Sequence, residues 1–197
     1  MDRLNLSRKL SSLKPIDTPK IKFEQYQTDI KTAVSFLFFI NSIVGLKSMK
    51  VADLGCGNGI LGIGAALLGA EKVDMYDIDP KTVEIASDNV NALNLTECAS
   101  FCADFFDVHG NYDVVLSNPP FGFQTNFSIE TFLEKAYEMS KNVFVLYKHN
   151  NFAESLAEKK GFKIYELGDI RLKRTARFHK KEAVDLPICI VYRTSND

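Results

Sequence analysis

Tryptophan is absent, and histidine (3) and cysteine (4) are scarce. The four cysteines, Cys56, Cys98, Cys102 and Cys189, form no C-x-x-C pair and have no histidine at ligand spacing. That pattern argues against a zinc site and against a disulfide framework, so all four are expected to be reduced, mostly buried thiols, and no metal is expected. An excess of one charge is lacking too. Lys plus Arg (24) nearly balances Asp plus Glu (25), so no global field marks a general polyanion binder and any nucleic-acid surface must be local. Long hydrophobic runs are missing as well. The start, MDRLNLSRKLSSLK, has no apolar signal-peptide core, and the most apolar stretch, 33–46, is interrupted by Asn41 and Ser42. It falls short of the roughly 20 residues a membrane span needs, and a cytoplasmic protein is expected. What is present suffices for one core: 197 residues, 46% of them hydrophobic, are read as a single domain, 1–197.

Along the chain, Leu6, Leu10 and Leu13 share one face of a short basic helix that Pro15 and Pro19 close into an extended segment. A second helix is predicted from Thr28 as N-cap to Gly45, with Ala33, Phe36, Leu37, Ile40 and Val44 as its buried stripe. From there strands and helices alternate. Strands are predicted at 50–55, 72–79, 97–103, 112–117, 142–147, 163–170 and 184–193, with helices after the first, second, fourth and fifth. Asp79-Pro80 supplies an N-cap and a first-turn proline, and Ser128 caps another helix. The pattern implies an α/β fold with a doubly wound, mostly parallel sheet and one antiparallel strand at the end.

Two constellations fall at strand ends. In Asp53-Leu54-Gly55-Cys56-Gly57-Asn58-Gly59 a strand runs into three alternate glycines and then a helix, so backbone can lie against a ligand near free N–H groups. A dinucleotide fold or a plain tight turn would use the same letters. Asp77 and Asp104 end the next two strands, where carboxylates can accept from ribose hydroxyls and from an adenine amino group. Helix caps are the plainer account of such acids. Taken together, three strand ends describe a nucleoside cofactor lying across the sheet.

The second constellation, Ser117-Asn118-Pro119-Pro120-Phe121-Gly122, ends the fourth strand beside that crevice. An aromatic amine is a poor nucleophile because its lone pair is delocalised into the ring. Acceptors aimed at its hydrogens, the Asn118 side-chain oxygen and the Pro119 carbonyl, would localise the pair toward a methyl donor. Pro119 and Pro120 stiffen the loop, and Phe121 offers a face for an extruded base. The alternative is a Pro-Pro turn with Phe121 as core filler.

DLGCGNG, DID and NPPFG, in this order and spacing, resemble a class I, Rossmann-like amino-methyltransferase. With FEQYQT (23–28) and RFHKKEAVDL (177–186), the chain resembles the methyltransferase-like 5 family over about 21–192. The resemblance implies a seven-stranded sheet and transfer of a methyl group from S-adenosylmethionine to N6 of an adenine in small-subunit ribosomal RNA, in an archaeal member. It implies that 1–30 form an N-terminal helix and lid in which Gln25 and Thr28 cover the cofactor. Gly55, Asn58 and Ile60, with Asp53 and Gly57 in the same turn, would contact its amino-acid end, Asp77 its ribose, and Asp104 with Phe105 its adenine. The sequence departs from the pattern at Gln27, where a proline is expected, and at Asn58, where a small or thiol side chain is expected. The same motif serves enzymes acting on guanine N2 or protein glutamine, and a catalytically silent RNA-binding or scaffold protein is the alternative of another class.

Arg171, Lys173, Arg174, Arg177, Lys180 and Lys181 surround Phe178 and His179 with no acid between 171 and 181. Such a run is either a solvated face or a phosphate-contacting hairpin, and the resemblance favours RNA. In the strand order it implies, 3-2-1-4-5-7-6, strand 97–103 is a sheet edge without Lys, Pro or other blunting. The resemblance further implies a small zinc-binding activator subunit, which is expected to pair there.

Overall fold

The computed structural model describes residues 1–122, 128–173 and 183–195. Strand β1 (Lys50–Leu54) buries every residue after Lys50, a continuous run that suits a strand covered on both faces. It pairs in parallel with β2 (Lys72–Asp77) and β4 (Val114–Ser117), the latter wholly buried. Parallel β3 (Cys98–Cys102) lies outside β2, and parallel β5 (Val143–Lys148) outside β4. The long last strands, β6 (Lys163–Lys173) and β7 (Ala183–Arg193), close the sheet, with β7 antiparallel to both β5 and β6. The order is β3-β2-β1-β4-β5-β7-β6, as the sequence pattern and the resemblance led us to expect. Strand order reverses between β1 and β4, so a crevice opens at their carboxyl ends, where doubly wound sheets bind ligands.

Helices α1 (Arg3–Leu10), α2 (Ile30–Ile43), α3 (Ile60–Leu67), α4 (Pro80–Ala92), α5 (Ile129–Met139) and α6 (Asn151–Lys160) pack around the sheet. Local chemistry sets their starts. Asp79 accepts from Lys81 N–H with Pro80 in the first turn, and Ser128 accepts from Thr131 N–H. A Cβ on Gly64 would overlap Leu37 Cδ1, so this glycine lets α3 press against α2.

Two expectations are corrected. The N-cap of α2 is Asp29, which accepts from Thr32 N–H, rather than Thr28, whose hydroxyl is taken by Asn118 far along the chain. Of the four free cysteines only Cys56 and Cys189 are buried, because Cys98 and Cys102 lie on the edge strand β3.

Candidate active site

Beyond the carboxyl ends of β1, β2 and β4 lies a cavity of about 370 Å³. Of the residues singled out in the sequence, Gln25, Thr28, Gly55, Gly57, Asn58, Ile60, Asp77, Asp104, Phe105, Asn118 and Pro120 line it. Gly55, Gly57 and Gly59 have φ of +73°, +56° and +84°, a left-handed path that glycine takes at low cost and that carries the turn beneath the cavity. The Asp77 carboxylate stands at the rim. Its Oδ2 accepts from Gly57 N–H and its Oδ1 from Asp79 N–H, both at 2.9 Å. These bonds fix its orientation and leave further lone pairs for a ligand. At the end of β3, Asp104 accepts from Phe106 N–H, and Phe105 packs edge-on to Phe132.

Asp53 is placed differently. It is fully buried beneath the turn and does not line the cavity, its Oδ2 accepting from Gly62 N–H at 2.8 Å. Oδ1 has no hydrogen-bond partner among the described residues. Burial pushes its carboxyl up to about 7, against the Gly62 N–H, and the nearby Asp77 charge adds to the rise. The unfolded chain releases this proton near pH 4 while the folded protein keeps it to about 7. This group's stabilisation is therefore full below about pH 4 and is lost as pH rises to about 7, by up to about 4 kcal/mol. Calorimetric melting of the wild type and Asp53→Asn from pH 4 to pH 8 checks this. The wild type should lose more stability over that interval, and parallel curves would contradict it.

The segment between α1 and α2 crosses the cavity and is anchored at both ends. Lys14 N–H donates to Asn89 Oδ1 at 2.7 Å, and Asn58 Nδ2 donates to the Lys14 carbonyl at 3.0 Å. Asn58, the departure from the expected small side chain, thus ties the start of this segment to the glycine turn. Farther on, Lys20 Nζ (2.7 Å) and Gln25 Nε2 (2.9 Å) donate to the Asp79 carboxylate. Burial opposes the charge on Asp79, but these bonds outweigh it and hold the carboxyl below its usual range. The N-cap role of Asp79 was legible in the sequence; its grip on Gln25 was not.

At the end of β4, Asn118 lines both this cavity and a smaller one of about 60 Å³, which Pro119 and Phe121 also line. Asn118 Nδ2 donates to Thr28 Oγ1 at 2.8 Å. Phe121 is nearly buried, edge-on to Tyr147, and its backbone is held on both sides. Glu24 Oε2 accepts from its N–H at 2.9 Å, and Lys148 Nζ donates to its carbonyl at 2.7 Å. Neither Glu24 nor Lys148 was singled out in the sequence. The signal for Glu24 was its place inside FEQYQT, directly before Gln25. Arg171 and Lys173 fall at the end of β6; Arg174, Arg177, Phe178, His179, Lys180 and Lys181 lie outside the described residues.

The methyltransferase small domain family matches residues 23–144. An uncharacterised protein of Methanocaldococcus jannaschii is 34% identical, over 94% of this chain and 91% of its own. The rRNA N(6)-adenosine-methyltransferase of Caenorhabditis elegans is 32% identical over 93% of each chain. Among solved structures, a Pyrococcus horikoshii protein provisionally assigned as an RNA methyltransferase superposes with a TM-score of 0.87 at 29% identity, covering 98% of each chain. With identity of this level over 93% or more of the chain, and a sheet and cavity of this form, the chain belongs to the methyltransferase-like 5 family of methyltransferases.

Proposed function

We propose that this protein transfers a methyl group from S-adenosylmethionine to N6 of an adenine in ribosomal RNA. The observation that carries it is the position of Asn118 on the wall between two cavities, one large enough for a nucleoside cofactor and one beside it. The cradle fits the donor: a glycine turn gives backbone approach, Asp77 offers lone pairs to ribose hydroxyls, and Asp104 with Phe105 flanks the place for adenine. Gln25 and Thr28 cover it, Gly55, Gly57, Asn58 and Ile60 meet its amino-acid end, and Asp53 braces the turn from below. When bound, S-adenosylmethionine would supply an electrophilic methyl group: the N6 lone pair would form the N–C bond as the C–S bond breaks and its electrons stay on sulfur, and the amine proton would then leave to solvent. Asn118 Oδ1 and the Pro119 carbonyl accept from the amine and turn its lone pair toward the methyl group. Pro120 and the clamped Phe121 backbone keep those acceptors in place.

We assign residues 1–197 to one catalytic domain with 1–30 as helix and lid, acting in the cytoplasm. Among the described residues, no helix is long and apolar enough to cross a membrane. Labelled donor offered with RNA, DNA and protein should mark small-subunit ribosomal RNA and yield N6-methyladenosine on digestion. Label recovered on guanine or on glutamine would overturn the assignment.

The basic run from Arg171 to Lys181 is assigned to phosphate contact. Neutralising Arg174, Arg177 and Lys181 together should flatten the salt dependence of RNA binding by up to about three units of slope, with donor affinity unchanged. An unaltered slope would mean a solvated face.

A small zinc-binding subunit is proposed to complete the sheet at β3. Val73 N–H donates to the Glu97 carbonyl and Ala103 N–H to the Asp77 carbonyl, which sets the phase of the parallel ladder. By alternation, Ser100 and Cys102 turn their N–H and C=O groups outward. Phe101 and Phe106 are exposed beside them. Ser100→Pro therefore removes an outward donor without breaking the bonds to β2 and should weaken the complex with such a subunit while leaving donor binding undisturbed. Undiminished complex formation would disprove pairing at this edge.

A further inference from the structure

The Asn118 carboxamide poses an orientation problem. Its oxygen and NH2 ends are nearly the same size, yet only the oxygen can accept from a target amine; the NH2 end would oppose the amine's hydrogens. A half-turn of the side-chain amide would exchange them. In the structure the carboxamide is tied through its NH2 end. Asn118 Nδ2 donates to Thr28 Oγ1 at 2.8 Å, and among the described residues Oδ1 accepts no hydrogen bond. Thr28 is nearly buried and lines both cavities beside Asn118, so this bond is shielded from competing water.

Thr28 is itself held. Its neighbour Asp29 caps α2, and four residues earlier Glu24 is buried with φ +49°, a conformation that a side-chain-bearing residue keeps only when its surroundings impose it. Glu24 grips Phe121 N–H, so one short stretch holds the catalytic loop at its first and fourth residues. Gln25, between them, is fastened to Asp79 on the cofactor side.

We infer that Thr28 is a positioning residue for methyl transfer: its hydroxyl bonds the Asn118 carboxamide and thereby anchors it where Oδ1 can face the acceptor amine. This role is distinct from covering the cofactor, and it rests on the methyl-transfer function proposed above. The loop's reach across the fold explains why the N-cap of α2 passes to Asp29: the Thr28 hydroxyl is committed elsewhere.

The test compares Thr28→Val, which keeps the shape and removes the hydroxyl, with Thr28→Ser, which keeps the hydroxyl. Turnover on RNA, RNA KM, donor affinity by calorimetry and melting temperature are measured for each. Thr28→Val should lower kcat roughly tenfold, the scale of one oriented hydrogen bond, with donor affinity within about threefold; Thr28→Ser should restore most of the rate. In the Asn118→Ala background Thr28→Val should cost nothing more, because the group it orients is gone. A purely structural role would instead lower the melting temperature and add to the Asn118→Ala loss. Equal kcat for wild type and Thr28→Val, or a loss confined to donor affinity, overturns the inference. Wild-type protein that methylates a different acceptor overturns the adenine assignment alone, since the Val and Ser pair can then be compared on that acceptor.

Discussion

Asn118→Ala should reduce methyl transfer by at least about 10²-fold while leaving donor affinity within a few-fold. That is the scale for removing one preorganised acceptor from a transition state in which charge develops on its partner. Asn118 borders the donor cavity, but among the described residues its side chain bonds Thr28 and neither the glycine turn nor Asp77, whose carboxylate holds Gly57 N–H. Alanine should therefore spare binding and lose chemistry. Single-turnover rates with saturating donor, set beside calorimetric donor affinity, make the measurement. A variant with near-wild-type turnover would remove Asn118 from the catalytic role.

Asp77→Ala should show the opposite signature: donor affinity falls roughly 10- to 100-fold, matching about 1.5–3 kcal/mol for hydrogen bonds to a charged group. The structure adds a second cause. Asp77 also accepts from Gly57 N–H and Asp79 N–H, so its loss frees the turn that lies under the donor as well as the ribose contact. At saturating donor, kcat should recover to within a few-fold of wild type, because the Asn118 loop is untouched. Unchanged affinity in a titration of the variant would contradict the assignment of Asp77 to the cofactor.

Much of the fold could be read from neighbouring letters. Val51, Ala52 and Leu54 form a buried run that stops at glycine, Asp79-Pro80 starts a helix, and Pro119-Pro120 ends a strand. Each rule acts over a few residues, through hydrophobic period, free N–H groups or a missing donor. The errors were of the same kind. Thr28 and Asp29 are both good caps, and only the distant partner of Thr28 decides between them. Cys98 and Cys102 read as core thiols until β3 is seen, among the described residues, to have a neighbour on one side only.

By itself, then, the sequence determined an alternating α/β chain with a glycine turn and a proline-stiffened loop at strand ends, because those features are written in local backbone chemistry. The tertiary structure alone decided what holds them. Thr28 meets Asn118 across 90 positions, Glu24 meets Phe121 across 97, and Lys20 with Gln25 meets Asp79 across more than 50. No periodicity joins residues so far apart. They meet because the reversal of strand order between β1 and β4 opens a crevice into which the segment before α2 folds, and that placement gives a buried glutamate and a threonine hydroxyl their partners.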